Sequence, residues 1–169
     1  SIAIDPDQPG PYHDRGTIAL RKQDFDGALR DLDQTLTIDP SYAVDPRYAD
    51  AFLFRARKAI AAGALDIAIS DFATALKYRP GSVPAAGYAD CYRRRAKERQ
   101  GKGMINEAVA DFEAADQLSK APEADGERVE ALYRRAIARA NEGAHEEALA
   151  DLAQVLAAKP NLTIDPVLA

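Results

Sequence analysis

The chain has 169 residues, of which 47% are hydrophobic and 7% aromatic, with no tryptophan and a formal net charge of −5. That is enough apolar matter for a sizeable core, and the scarcity of aromatic bulk points to alanine, leucine and isoleucine packed between close helices. The acidic balance argues against attraction of the whole molecule to nucleic acid or anionic lipid, and no run approaches the ~18 apolar residues of a membrane span.

Cys91 is the only cysteine, so an intrachain disulfide is excluded and neither an oxidising nor a reducing compartment is required. A soluble chain is expected, with the cytoplasm favoured over the periplasm. Met104 is the only methionine, so residues are expected to have preceded Ser1.

In chain order the sequence reads as pairs of helices. Tyr12 opens an apolar stripe and Gly16 follows four residues on. FDGALRDLDQTLTIDP (25–40) then places apolar residues at i, i+4, i+7 and i+8, one face of a helix. Phe52 and Ala56 precede LDIAISDFATALKYRP (65–80). Tyr92 and Ala96 precede INEAVADFEAADQLSK (105–120), and Leu132 and Ala136 precede HEEALADLAQVLAAKP (145–160). A small residue at 16, 56, 96 and 136 lets a neighbouring helix approach closely. Gly63, Gly103 and Gly143 divide the two helices of the later pairs and suit a left-handed helix end, whereas the first pair has Gln23 there. Pro40, Pro80 and Pro160 stop three of the second helices. Lys120 stands at that position in the third pair, with Pro122 two residues later.

Two charged rows run through the chain at a spacing of 40 residues. They are Arg15, Arg55, Arg95 and Arg135, and Asp31, Asp71, Asp111 and Asp151. Asp45-Pro46 reads as a helix start, with Asp as N-cap and Pro in the first turn. It predicts that the residues between one pair and the next lengthen each first helix by about one turn.

The bulky–small opening, the Ala28, Ala68, Ala108 and Ala148 row, the Leu32, Phe72, Phe112 and Leu152 row and the prolines together resemble the tetratricopeptide repeat (TPR). The resemblance implies an all-α, right-handed α-solenoid of about four helix–turn–helix repeats, near 6–40, 46–80, 84–120 and 125–160, in one domain over 1–169. The tail 161–169 reads as the start of a fifth repeat, because Asp165-Pro166 shares the register of Asp5-Pro6 and Asp45-Pro46. The chain departs from the family in period, since the TPR unit is about 34 residues. It also carries Arg where the family often has Leu.

The Arg row admits two readings, a ladder of anion sites or struts paired with the Asp row. Unpaired charge between two helices is costly, so pairing of Arg15 with Asp31, Arg55 with Asp71, Arg95 with Asp111 and Arg135 with Asp151 is expected. By resemblance, the residues one and five after each bulky starter face a concave groove. These are His13 and Thr17, Leu53 and Arg57, Arg93 and Lys97, and Tyr133 and Ile137. Some members of the family clamp a terminal carboxylate with Lys and Asn, and His13 and Thr17 stand in their place, so no such clamp is expected. Leu53, Arg57, Arg93, Lys97, Tyr133 and Ile137 are the candidate peptide-binding residues, for a protein or peptide partner with acidic and apolar side chains. The basic run from Arg93 to Lys102 could equally be a solvated helix face.

No catalytic constellation is present in the sequence. His13 and His145 fall in the first and last repeats, no GxxxxGK[ST] loop or HExxH motif occurs, and Cys91 reads as an inert buried thiol. The expectation is a non-enzymatic interaction scaffold without metal or cofactor, and without nucleic-acid partners. The alternatives are a self-assembling module, stacking through an under-covered last helix (Leu149, Leu152, Val155, Leu156), or a regulatory domain of a larger enzyme.

Overall fold

The computed structural model describes residues 7–119 and 125–161. Among these the chain forms helices only: α1 (Pro9–Arg21), α2 (Phe25–Ile38), α3 (Tyr48–Ala61), α4 (Leu65–Tyr78), α5 (Ala85–Gly101), α6 (Ile105–Ser119), α7 (Asp125–Asn141) and α8 (His145–Ala158). Asp5-Pro6, Lys120, Pro122 and the Asp165-Pro166 start of a fifth repeat lie outside the described residues.

The helices pair as α1 with α2, α3 with α4, α5 with α6 and α7 with α8, while α2 also packs on α3 and α6 on α7. Two compact units result, residues 1–84 with α1–α4 and residues 85–169 with α5–α8. In both, the apolar stripe of each second helix supplies the core. Ala28, Ala68 and Ala108 are fully buried and Ala148 nearly so. Leu32, Phe72, Phe112 and Leu152 lie buried one turn further along. The alanines bring the helices close enough for the larger residues to interdigitate. In residues 85–169 the core gathers Ala96, Val109, Phe112, Val129, Leu132 and Val155.

The turns inside the hairpins share one construction. Gln23, Gly63, Gly103 and Gly143 all have positive φ (59°, 73°, 76° and 81°). After α3, Ala64 N–H donates to the Ala59 carbonyl at 2.8 Å and Gly63 N–H to the Ile60 carbonyl at 3.1 Å, the pair of bonds that defines a Schellman end. The corresponding bonds after α1, α5 and α7 run from Asp24 to Ala19, Met104 to Arg99 and Ala144 to Arg139, each 2.9 Å. At the other end, the residue before each proline is driven extended, which closes the second helix. Asp39, Arg79 and Lys159 have φ of −137°, −143° and −133°.

The expected lengthening of the first helices occurs in only half of them. Helices α5 and α7 have 17 residues, whereas α1 has 13 and α3 has 14. Asp45 does not open α3. Its carboxylate accepts the Arg47 backbone N–H at 2.8 Å and the Arg47 guanidinium as well, so residues 45–47 close a local turn and the helix begins at Tyr48.

Candidate functional site

The charged rows meet within each hairpin. Arg15 donates Nε–H to Asp31 Oδ2 at 2.8 Å and an Nη2 hydrogen to Oδ1 at 2.5 Å. The same fork joins Arg55 to Asp71 (2.9 and 2.7 Å), Arg95 to Asp111 (2.9 and 2.6 Å) and Arg135 to Asp151 (2.8 and 2.7 Å). The arginine lies one turn after a bulky starter, so its guanidinium also stacks on that ring: Arg15 on Tyr12, Arg55 on Phe52 and Arg95 on Tyr92, at 5.3–5.4 Å. Leu132 leaves Arg135 without such a ring. The hydrogen bonds that Arg15, Arg55 and Arg135 donate to the aspartates raise them above the ordinary arginine pKa, outweighing the burial that opposes the charge.

A second arginine joins the last two pairs. Arg99 Nη1 donates to Asp111 at 2.8 Å and Arg139 Nη1 to Asp151 at 2.7 Å. Sequence reasoning placed Arg99 only in the basic run and did not single out Arg139, although both follow the row arginine by one helical turn. Ala19 and Ala59 hold the equivalent positions earlier in the chain.

In residues 1–84, a groove of about 390 Å³ runs between α1 and α3. Leu20 and Leu53, each 8% exposed, form its floor. Phe25 and Phe54 stand at its side, with ring centroids 4.9 Å apart. Arg47 and Asp50 also line it, but each is neutralised within the chain, Arg47 by Asp45 and Asp50 by Arg79. Arg21 and Arg57 line the groove as well, and neither has a carboxylate partner among the described residues. Leu53 and Arg57 of the sequence candidates therefore share one groove. Leu20, Arg21, Phe25 and Phe54 are lining residues that the sequence reading did not single out.

His13 and Thr17 face a different environment. The His13 ring lies 5.1 Å from Tyr42 and 6.1 Å from Tyr48. His13 Nε2, Thr17 Oγ1 and the Tyr48 hydroxyl are buried without a hydrogen-bond partner of normal geometry. A Cβ at Gly16 would collide with the Tyr48 hydroxyl, which explains why the smallest residue stands there. Burial pushes the Tyr48 phenol up to about 12.

In residues 85–169 most of the basic run is bonded internally. Arg93 donates to Ser119 Oγ at 2.6 Å, Lys97 pairs with Glu127 at 2.6 Å, and Arg95 and Arg99 share Asp111. Tyr133 is half-buried against the core cluster and Ile137 is also half-buried. Cys91 is fully buried, and burial pushes its thiol up, which disfavours the thiolate needed for reactivity. Among the described residues no three His, Cys, Asp or Glu side chains are grouped to hold a metal ion. None of the helices is long and apolar enough to cross a membrane.

No known family matches the chain by sequence, and no curated protein does. Several solved structures are similar to it. MamA is 19% identical over 86% of this chain and 74% of that one, with a TM-score of 0.30. The APC/C hetero-tetramer Cut9-Hcn1 is 16% identical over 96% of this chain but 29% of that one, with a TM-score of 0.33. YrrB, a TPR protein with an unusual peptide-binding site, is 16% identical over 97% and 73%, with a TM-score of 0.29. With its helical hairpins recurring every 40 residues and its shared turn construction, the chain is an all-α, TPR-like helical-repeat protein.

Proposed function

We propose that this chain is a non-enzymatic protein-interaction scaffold. Its groove between α1 and α3 captures a partner segment that carries an acidic side chain beside an apolar one. The observation that carries this reading is the pairing of an apolar floor, Leu20 and Leu53, with two arginines, Arg21 and Arg57, that have no carboxylate partner among the described residues. Every arginine of the 40-residue row is already matched by an aspartate, so those rows act as struts and leave recognition to the remaining cations. In residues 85–169, Tyr133 and Ile137 offer apolar contact, while Arg93 and Lys97 must exchange an internal bond to meet a ligand.

Binding of fluorescein-labelled peptides in which Asp or Glu alternates with Leu or Phe, followed by anisotropy, tests the reading. A hydrogen bond to a charged group is worth about 1.5–3 kcal/mol, so Arg57→Glu should weaken binding by roughly 10- to 100-fold with helicity unchanged. Rising salt should weaken the wild type more than the variant. Equal affinity of the two proteins would remove the groove from consideration.

A further inference from the structure

Helix α8 carries an apolar stripe on its outer side. Leu149 is 60% exposed and Leu156 39%, with exposed Ala153 between them, one turn apart along the helix. Leu29 and Val109 hold the position of Leu149 in earlier hairpins and are 4% and 0% exposed. In both cases the first helix of the following hairpin covers the second helix, α3 on α2 and α7 on α6. What covers this position at both of these junctions is thus a first helix presented in register.

Helix α1 is such a helix with its outer side open. Ile18 is 50% exposed. The Arg15 side chain is 55% exposed, against 40% for Arg55 and 15% for Arg135, which α2 and α6 precede. A groove of about 500 Å³ between α1 and α2 is lined by Tyr12, Arg15 and Ala19 on one side and Gly27, Arg30 and Asp31 on the other. The internal junction supplies a register for docking. Lys58 of α3 reaches back to Asp26 of α2 at 3.1 Å. The equivalents of these two residues on the open faces are Ile18 of α1 and Glu146 of α8. Charge also matches at this junction, because acidic residues of the preceding hairpin act on the row arginine: Asp33 and Asp26 on Arg55, and Glu113 on Arg135. Arg15 has the equivalent place; Glu146 stands where Asp26 does and would supply the acid, while Ala153 stands in the place of Asp33 and Glu113.

We infer that a second copy of this chain seats Tyr12, Arg15 and Ile18 of its α1 on Leu149, Ala153 and Leu156 of α8, repeating the α2–α3 junction between molecules. The contact joins two different faces, so it is heterologous: copies link head to tail, in a ring where the rotation closes and in an open chain where it does not.

The test is sedimentation velocity of the 169-residue chain over a concentration series, together with disulfide trapping. The wild type should grow in mass with concentration, and Leu149→Glu/Leu156→Glu should hold it at the monomer with helicity retained. If that variant fails to fold, Ile18→Glu on the opposite face provides the same readout. Ile18→Cys mixed with Glu146→Cys should form crosslinked dimers, while neither variant crosslinks alone, Cys91 being buried in both. A monomer mass at every concentration, self-association undiminished by the charged variants, or the absence of the mixed crosslink would each overturn the inference. Arg57→Glu lies on neither face and should leave association unchanged.

Discussion

Removing Asp151 should cost far more than removing Asp31, although the two occupy the same place in their hairpins. The Asp151 side chain is 1% exposed and accepts from both Arg135 and Arg139, whose side chains are 15% and 29% exposed. Asp151→Ala therefore strands two guanidinium groups with little access to water. Breaking a buried pair in this way costs about 3–5 kcal/mol. Asp31 serves only Arg15, which is 55% exposed and can be rehydrated, so Asp31→Ala should cost no more than about 1 kcal/mol. A change of 1 kcal/mol moves the melting temperature of a 60–100-residue unit by roughly 4–8 °C, so the expected losses are about 12 °C or more against less than about 8 °C. Urea unfolding followed by circular dichroism, with scanning calorimetry alongside, would measure both. The arginine pKa values are raised, so this stabilisation is complete below the ordinary arginine range and is lost only as pH climbs through the raised values. The contrast should accordingly be the same at pH 6 and pH 9. Equal losses for the two variants, or a loss below about 1 kcal/mol for Asp151→Ala, would refute the argument from burial.

Two further outcomes follow from the turns and the buried phenols. Gln23 holds the left-handed conformation that glycine holds in the other hairpins, so Gln23→Gly should stabilise the chain by about 1 kcal/mol in urea unfolding. The Tyr48 phenol stays neutral to about 12, so its contribution is complete below the ordinary tyrosine range near pH 10 and is lost as pH rises towards 12. The difference is worth about 3 kcal/mol. Tyr48→Phe should therefore track the wild type at pH 7 and lose less stability at pH 12. Parallel pH profiles for the two proteins would contradict that assignment. Tyr78 and Tyr88 are also raised by burial, so the difference between the proteins, not the absolute loss, is the readout.

The sequence by itself determined the helices, their turns and the positions of the charged rows. Apolar spacing of three and four residues commits a segment to one buried helix face, and a glycine or proline at its end acts within a few residues. These are local effects, so they are legible in a local window and repeat wherever the window repeats. The start of α3 was misread for a local reason as well, because the Asp45 carboxylate had two donors at Arg47 and closed a turn in place of a helix. Which charges remain available for a ligand was decided only by the tertiary structure. Arg93, Arg95, Lys97 and Arg99 look alike in sequence, yet they end on Ser119, Asp111, Glu127 and Asp111, 12 to 30 residues away. Arg21 attracted no notice in the sequence and lines the groove beside Leu53 and Arg57. Coulomb and hydrogen-bond energies depend on separation in space, and helix packing sets those separations between residues that no single window contains.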